Sequence, residues 1–169
     1  MTELQNWLHS IREGDKSAFE ALYNRMGRPL LTIIFQITQD MAQSEDILQE
    51  LFIRLYLSPP APSTNPRAYL CQMARNSAID CVRKQKPQMD WEQAEKVLGC
   101  DEDNQYQALD IEEAIQSLAD QEREIFVLHV NGGLKFREIA VILEIPLGTT
   151  LWAYQKAIKK LQERLGDLS

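Results

Sequence analysis

Apolar residues recur along this chain at three- and four-residue intervals, the spacing of amphipathic helices. Leu4, Trp7, Leu8 and Ile11 share one side of a short segment over 3–12, which Gly14-Asp15 ends. Asp15 can cap a longer helix over 16–38. There Phe19, Leu22, Tyr23, Met26, Leu30, Ile33, Ile34 and Ile37 form a broad core stripe, and Gly27 and Pro29 allow a bend. A third helix is expected from residue 43 or 44 to 57. It buries Ile47, Leu48, Leu51 and Leu55 and shows Glu45, Asp46, Gln49, Glu50 and Arg54 on its other side. The run 58–66, SPPAPSTNP, reads as a rigid loop, because proline removes donors and restricts its neighbours.

Asn65-Pro66 then opens a fourth helix over 65–86, with Asn as cap and Pro where its missing N–H is harmless. Leu70, Met73, Ala74, Ala78, Cys81 and Val82 gather on one side of it; Tyr69, Gln72, Arg75, Asn76, Asp80 and Arg83 gather on the other. Arginines, an amide and a tyrosine on one face can hold phosphates, meet base edges and stack on an unpaired base, although a plain solvated face has the same composition. After Pro87 the periodicity fades through about residue 107. It resumes over 108–118, and Asp120 is placed to cap the next helix, which Gly132-Gly133 stop. A helix over 135–143, a short Glu144-Ile145-Pro146 connection and a helix over 147–165 follow, with Ala140 small enough for close approach and Ile145 able to plug the gap. Two helices joined in this way read as helix-turn-helix. The whole pattern is all-α, with two small helical domains: 1–86, and 108–169 beyond an acidic linker at 87–107.

Charge changes that picture. The net charge of −7 argues against a nucleic-acid partner, but it is unevenly spread: −3 over residues 1–66, +4 over 67–86, −10 over 87–125 and +2 over 126–169. Two basic blocks separated by an acidic one suit two DNA-touching modules on an acidic connector. Composition is that of an ordinary soluble globular protein, with 44% hydrophobic and 25% charged residues. No apolar run approaches a membrane span and the first residues lack a signal-peptide pattern, so a cytoplasmic protein without membrane insertion is expected. Cys71, Cys81 and Cys100 share no metal-ligand spacing and read as reduced thiols. His9 and His129 stand apart from any Cys or carboxylate cluster, and no nucleophile motif or phosphate loop appears. No enzyme, metal or cofactor is expected.

Three segments in order, SEDILQELFIRLY at 44–56, NPRAYLCQMARNSAIDCVRKQK at 65–86 and LADQEREIFVLHVNGGLKFREIAVILEIPLGTT at 118–150, resemble bacterial RNA polymerase sigma factors of the two-domain extracytoplasmic-function (ECF) type. The resemblance covers nearly the whole chain. It implies a factor that binds core RNA polymerase, directs it to promoter DNA and helps melt the −10 region, with an anti-sigma protein as a further partner. The alternative is a helix-turn-helix regulator or partner-binding adaptor that keeps the fold without supporting initiation.

The same resemblance divides the residues. Asp46, Gln49, Glu50 and Arg54 become core-polymerase contacts. Arg67, Tyr69, Arg75, Asn76, Asp80, Arg83, Lys84 and Lys86 become contacts to the −10 element, and Lys135, Arg137, Thr149, Thr150, Leu151, Trp152, Gln155, Lys156 and Lys159 become contacts to the −35 element. The acidic linker would run through polymerase channels otherwise used by nucleic acid. One departure stands out: Leu151 and Ala153 occupy positions where family members frequently carry Lys or Arg. Three readings fit it. The helix reads thymine methyls and shape through apolar contacts; or Leu151, Trp152 and Ile158 form a strip for a partner protein; or Trp152 and Tyr154 pack the domain core.

Overall fold

In a computed structural model, the described residues are 2–61, 65–85 and 106–166, with backbone alone considered over 106–110. They form eight helices and no strand: α1 (Glu3–Arg12), α2 (Lys16–Thr38), α3 (Met41–Leu57), α4 (Pro66–Gln85), α5 (Tyr106–Gln116), α6 (Asp120–Val130), α7 (Phe136–Leu143) and α8 (Leu147–Gly166). Most of the expected linker lies outside the described residues, as do Lys86 and Cys100.

Local chemistry fixes the helix starts. Thr2 and Gln5 form a reciprocal capping box on α1, with Gln5 N donating to Thr2 Oγ1 at 3.3 Å and Thr2 N to Gln5 Oε1 at 2.6 Å. Asp15 accepts from Ser17 N and Ala18 N at the head of α2. Bonds from the Ser17 side chain and these two amides hold its carboxyl below the usual range. The third helix starts earlier than the apolar stripe suggests. Gln39 takes a left-handed conformation at φ 57°, and Asp40 then accepts from Gln43 N at 3.1 Å, so α3 begins at Met41. Asn65 caps α4 as expected, accepting from Ala68 N at 3.1 Å, with Pro66 at the first helical position. Asp120, by contrast, is inside α6: Ala119 is its N-cap and supplies no side-chain bond.

α2 is the central post, packed by α1, α3, α4 and α6. Phe19 and Tyr23 of α2 meet Phe52 and Tyr56 of α3 edge-on at ring separations of 4.9–6.0 Å. The main core passes without a break from Leu4 and Leu22 through Leu51, Leu70 and Ala74 to Ile125, Leu128, Ile139 and Ala153. A smaller cluster, Ala114, Leu118, Ala157 and Leu161, holds α5 against α8. The two groups of helices therefore share apolar packing directly.

Candidate nucleic-acid interface

α4 places its side chains on three sides. Leu70, Cys71, Ala74 and Ala78 are buried, while Tyr69, Gln72, Asn76, Asp80, Arg83 and Lys84 are exposed. Arg67 and Arg75, two turns apart, point into neither set. Arg75 is paired with Glu124 of α6, with both side chains about four-fifths covered. Arg67 Nη1 donates to Gly132 O at 3.2 Å, and Asn65 Nδ2 donates to Glu138 Oε1 of α7 at 2.5 Å. The exposed stripe retains a tyrosine, two amides, one carboxylate and two cations, while the two arginines nearest the helix start face the carboxy-terminal helices.

The lower part of α4 lies beside α3. Asp46, Glu50 and Arg54 line one wall of a groove of about 340 Å³; Ser77, Asp80 and Lys84 line the other, with Gln43 and Cys81 between. The residues expected to touch polymerase and two of those expected to touch the −10 element thus share one groove. Gln49 is exposed on α3.

In the carboxy-terminal helices, Gly133 at φ +69° ends the turn after α6, a conformation that strains any other residue, and a Cβ there would crowd the Arg67 guanidinium, whose Nη1 is 3.1 Å from its ideal position. Glu138 Oε2 accepts from Lys135 N at 2.8 Å and so caps α7. The α7–α8 turn is made by Glu144 in the left-handed region at φ 56°, with Ile145 N donating to Ala140 O at 3.0 Å. Ile145 packs against the core and Ala140 is buried, as a close helix crossing requires. On α8, Thr150, Ala153, Ala157 and Leu161 form the buried face. The opposite face carries Leu151, Trp152, Gln155 and Lys159, and Lys135 and Arg137 are exposed beside it.

Two expectations for this helix are corrected. Thr150 is fully buried and its hydroxyl donates to Pro146 O at 3.1 Å, so it holds the turn and presents nothing to a groove. Trp152, read in one alternative as core, is 60% exposed, with Lys156 Nζ 4.2 Å from its ring centroid. Tyr154 does pack inside, against Phe126, His129 and Phe136. His129 stacks on Phe136 at 4.3 Å and its Nδ1 meets Leu134 O at 2.8 Å, where it donates to the carbonyl. Thr149 is half-buried.

Sequence reasoning passed over Glu122. It is buried on α6, and both oxygens accept from Lys160 of α8 at 3.1 and 2.8 Å, with Lys156 at 3.7 Å. Burial opposes its charge, but the Lys160 bond and the two lysine charges outweigh that and hold the carboxyl below its usual range. Its partners sit 34 and 38 positions away in the sequence, beyond the reach of any local pattern. Cys71, expected as a reduced thiol, is a free and buried one: burial pushes it up to about 12 and outweighs the opposing charge of Arg67.

Arranged this way, the molecule is an all-helical protein with exposed basic and aromatic side chains on two separate helices, one of them the second helix of a helix-turn-helix; that is the build of a nucleic-acid-binding factor. Family models assign it further. Sigma-70 region 2 matches residues 22–88 and Sigma-70 region 4 matches residues 108–164. ECF RNA polymerase sigma factor SigW of Bacillus subtilis (strain 168) is 26% identical, over 95% of this chain and 96% of its own length. RNA polymerase sigma factor CarQ of Myxococcus xanthus is also 26% identical, over 95% and 97%. Among solved structures, CnrH in complex with the cytosolic domain of CnrY superposes with a TM-score of 0.68 at 19% identity, over 99% of this chain and all of that one. The sigma factor RpoE, in complex with the anti-sigma factor NepR from Bartonella quintana, gives 0.70 at 20% identity, over 90% and 98%. The chain belongs to the sigma-70 superfamily as an ECF-type sigma factor, a non-enzymatic protein that directs RNA polymerase to promoters.

Proposed function

We propose that residues 1–86 act as the unit that docks core polymerase and engages the −10 element, that residues 108–169 engage the −35 element, and that the acidic segment 87–107 connects them. Asp46, Gln49, Glu50 and Arg54 form the docking surface on α3. Tyr69, Asn76, Asp80, Arg83, Lys84 and Lys86, joined by Arg67 and Arg75, hold the melted −10 strand. Opening a duplex without ATP requires that the unpaired state be bound better than the paired one, and cations along a strand path beside an aromatic ring can do this. Lys135 and Arg137 hold backbone phosphates at the −35 duplex, and Leu151, Trp152, Gln155, Lys156 and Lys159 face its groove. Apolar side chains on that face suit thymine methyls.

One observation carries this reading: α3 exposes carboxylates and α4 cations within the stretch matched by sigma-70 region 2, while α8 exposes cations within the stretch matched by region 4. The protein acts where polymerase and chromosome are, in the cytoplasm, and among the described residues no helix is long and apolar enough to cross a membrane. An anti-sigma protein is a partner by the same reading, since the two solved structures described above are complexes, one with the CnrY cytosolic domain and one with the anti-sigma factor NepR.

Affinity for core polymerase tests the docking surface. A Glu50→Lys change should weaken binding by about tenfold or more, because like-charge juxtaposition at an interface costs on the order of kilocalories. Unchanged affinity for Glu50→Lys and Asp46→Lys together would remove α3 from the interface.

A further inference from the structure

Trp152, Lys156 and Lys160 follow one another at four-residue steps and so form a row along one side of α8. Trp152, at one end of the row, is exposed; beside the other end lies Glu122 of α6, a buried carboxylate from a different helix. Lys160 Nζ donates to both Glu122 oxygens, at 3.1 and 2.8 Å, which by itself supplies the partner that a buried charge needs. Lys156 stands in a different relation. Its Nζ is 3.7 Å from Glu122 Oε1, close enough for attraction but too far for a hydrogen bond, and 4.2 Å from the centroid of the Trp152 ring. One ammonium is thus shared between a buried carboxylate on α6 and an exposed indole on α8. A lysine has much rotamer freedom to lose, and an indole that is 60% exposed has little packing to hold its torsions. The charge of Glu122 restrains the lysine, and the lysine restrains the ring.

We propose that Glu122 is a positioning residue for −35 recognition: it anchors Lys156 over one face of the Trp152 indole and so presents that ring to the DNA groove in a single orientation. With one face covered by the ammonium, the ring edge and the opposite face are what the duplex meets. A side chain already held in its bound rotamer loses less freedom on binding. An ordered apolar edge also discriminates, because a thymine methyl meets it well and a polar base edge does not. Glu122 is buried and touches no DNA itself; it acts through Lys156 and Trp152. This role rests on the −35 reading of α8 for the DNA, and on the Glu122–Lys156–Trp152 geometry alone for the anchor.

The test uses the full chain. Duplexes that the unsubstituted chain enriches from a randomised pool are compared with the unselected pool, and discrimination is the ratio of the two affinities. Glu122→Gln keeps the shape of the side chain and removes its charge; Glu163→Gln makes the same change at an exposed position of α8. Trp152→Ala should lower discrimination about tenfold and Glu122→Gln about fivefold, within the range for losing one base contact. The double variant should fall no further than Trp152→Ala alone, since both changes act on one contact. In a chain whose other tryptophans are replaced, Trp7→Phe and Trp91→Phe, Glu122→Gln should also raise the amplitude of nanosecond indole motion about twofold by fluorescence anisotropy decay. Glu163→Gln should change neither readout. Losses that multiply to about fiftyfold in the double variant would overturn the proposal, because Glu122 would then act by a route other than Trp152. Unchanged discrimination or unchanged indole motion in Glu122→Gln, with native helix content, would overturn it too, as would an equal effect of Glu163→Gln. A pool from which the unsubstituted chain enriches nothing would remove the −35 reading of α8 and the recognition role with it. Indole motion is read without DNA, so it still decides whether Glu122 holds Trp152.

Discussion

Trp152 and Tyr154 are two positions apart on α8 and have opposite surroundings: Trp152 is largely exposed, and Tyr154 closes an aromatic group with Phe126, His129 and Phe136. Tyr154→Ala should lower unfolding free energy by about 3–5 kcal/mol, the range for truncating a packed aromatic, measurable by urea denaturation. Trp152→Ala should leave the denaturation midpoint nearly unchanged and weaken duplex binding at the −35 element. Loss of stability without loss of DNA affinity would return Trp152 to a packing role. Glu122 supplies the pH dependence. Its carboxyl is held below its unfolded value, so its contribution is fully present above about pH 4.5, and it is lost as pH falls through the lowered native value. Glu122→Gln should flatten that acid limb of the stability profile. An unaltered limb would show that Lys160 and Lys156 do not favour the charged form. Cys71 acts at the other extreme: its thiol stays protonated to about 12 in the folded chain, while an unfolded one ionises near 9.0, so stability declines as pH rises between those values.

Among the elements, α4 shows how much a sequence pattern reveals. Its cap, its start at Pro66 and the burial of Leu70, Ala74 and Ala78 follow from Asn65-Pro66 and a 3.6-residue period. Asn65→Ala should cost about 1 kcal/mol as a lost cap, read as a lower denaturation midpoint. Its bond to Glu138 was not legible, because that partner is 73 residues away. Arg67 and Arg75 were read as DNA contacts from their charge and the family resemblance, and periodicity has no means of placing Glu124 opposite one of them. The start of α3 was missed for a local reason: Met41 and Ala42 are exposed and lie outside the apolar stripe, so only the turn at Gln39-Asp40 marks the boundary. In α8 the pattern could not separate Thr150 from Thr149, although one is buried and the other half-exposed. A one-residue step is a 100° rotation, and Gly-Thr-Thr carries too little hydrophobic contrast to fix it.

At the scale of the whole molecule, the fold brings the uneven charge blocks together. The helices on either side of the acidic segment share a core, and a carboxylate of the acidic block meets an arginine of the basic one. Net charge thus hides the proposed DNA-binding surface by averaging, and one of its arginines, Arg75, is paired internally with Glu124. The most direct measurement is run-off transcription with core polymerase on genomic fragments, comparing the unsubstituted chain with an Arg83→Glu, Lys84→Glu variant that reverses two exposed cations of α4. A discrete promoter-dependent product that the variant fails to make, while it still binds core polymerase, is the predicted result. Absence of any promoter-dependent product from the unsubstituted chain would contradict the account and favour a helix-turn-helix regulator or adaptor that does not support initiation.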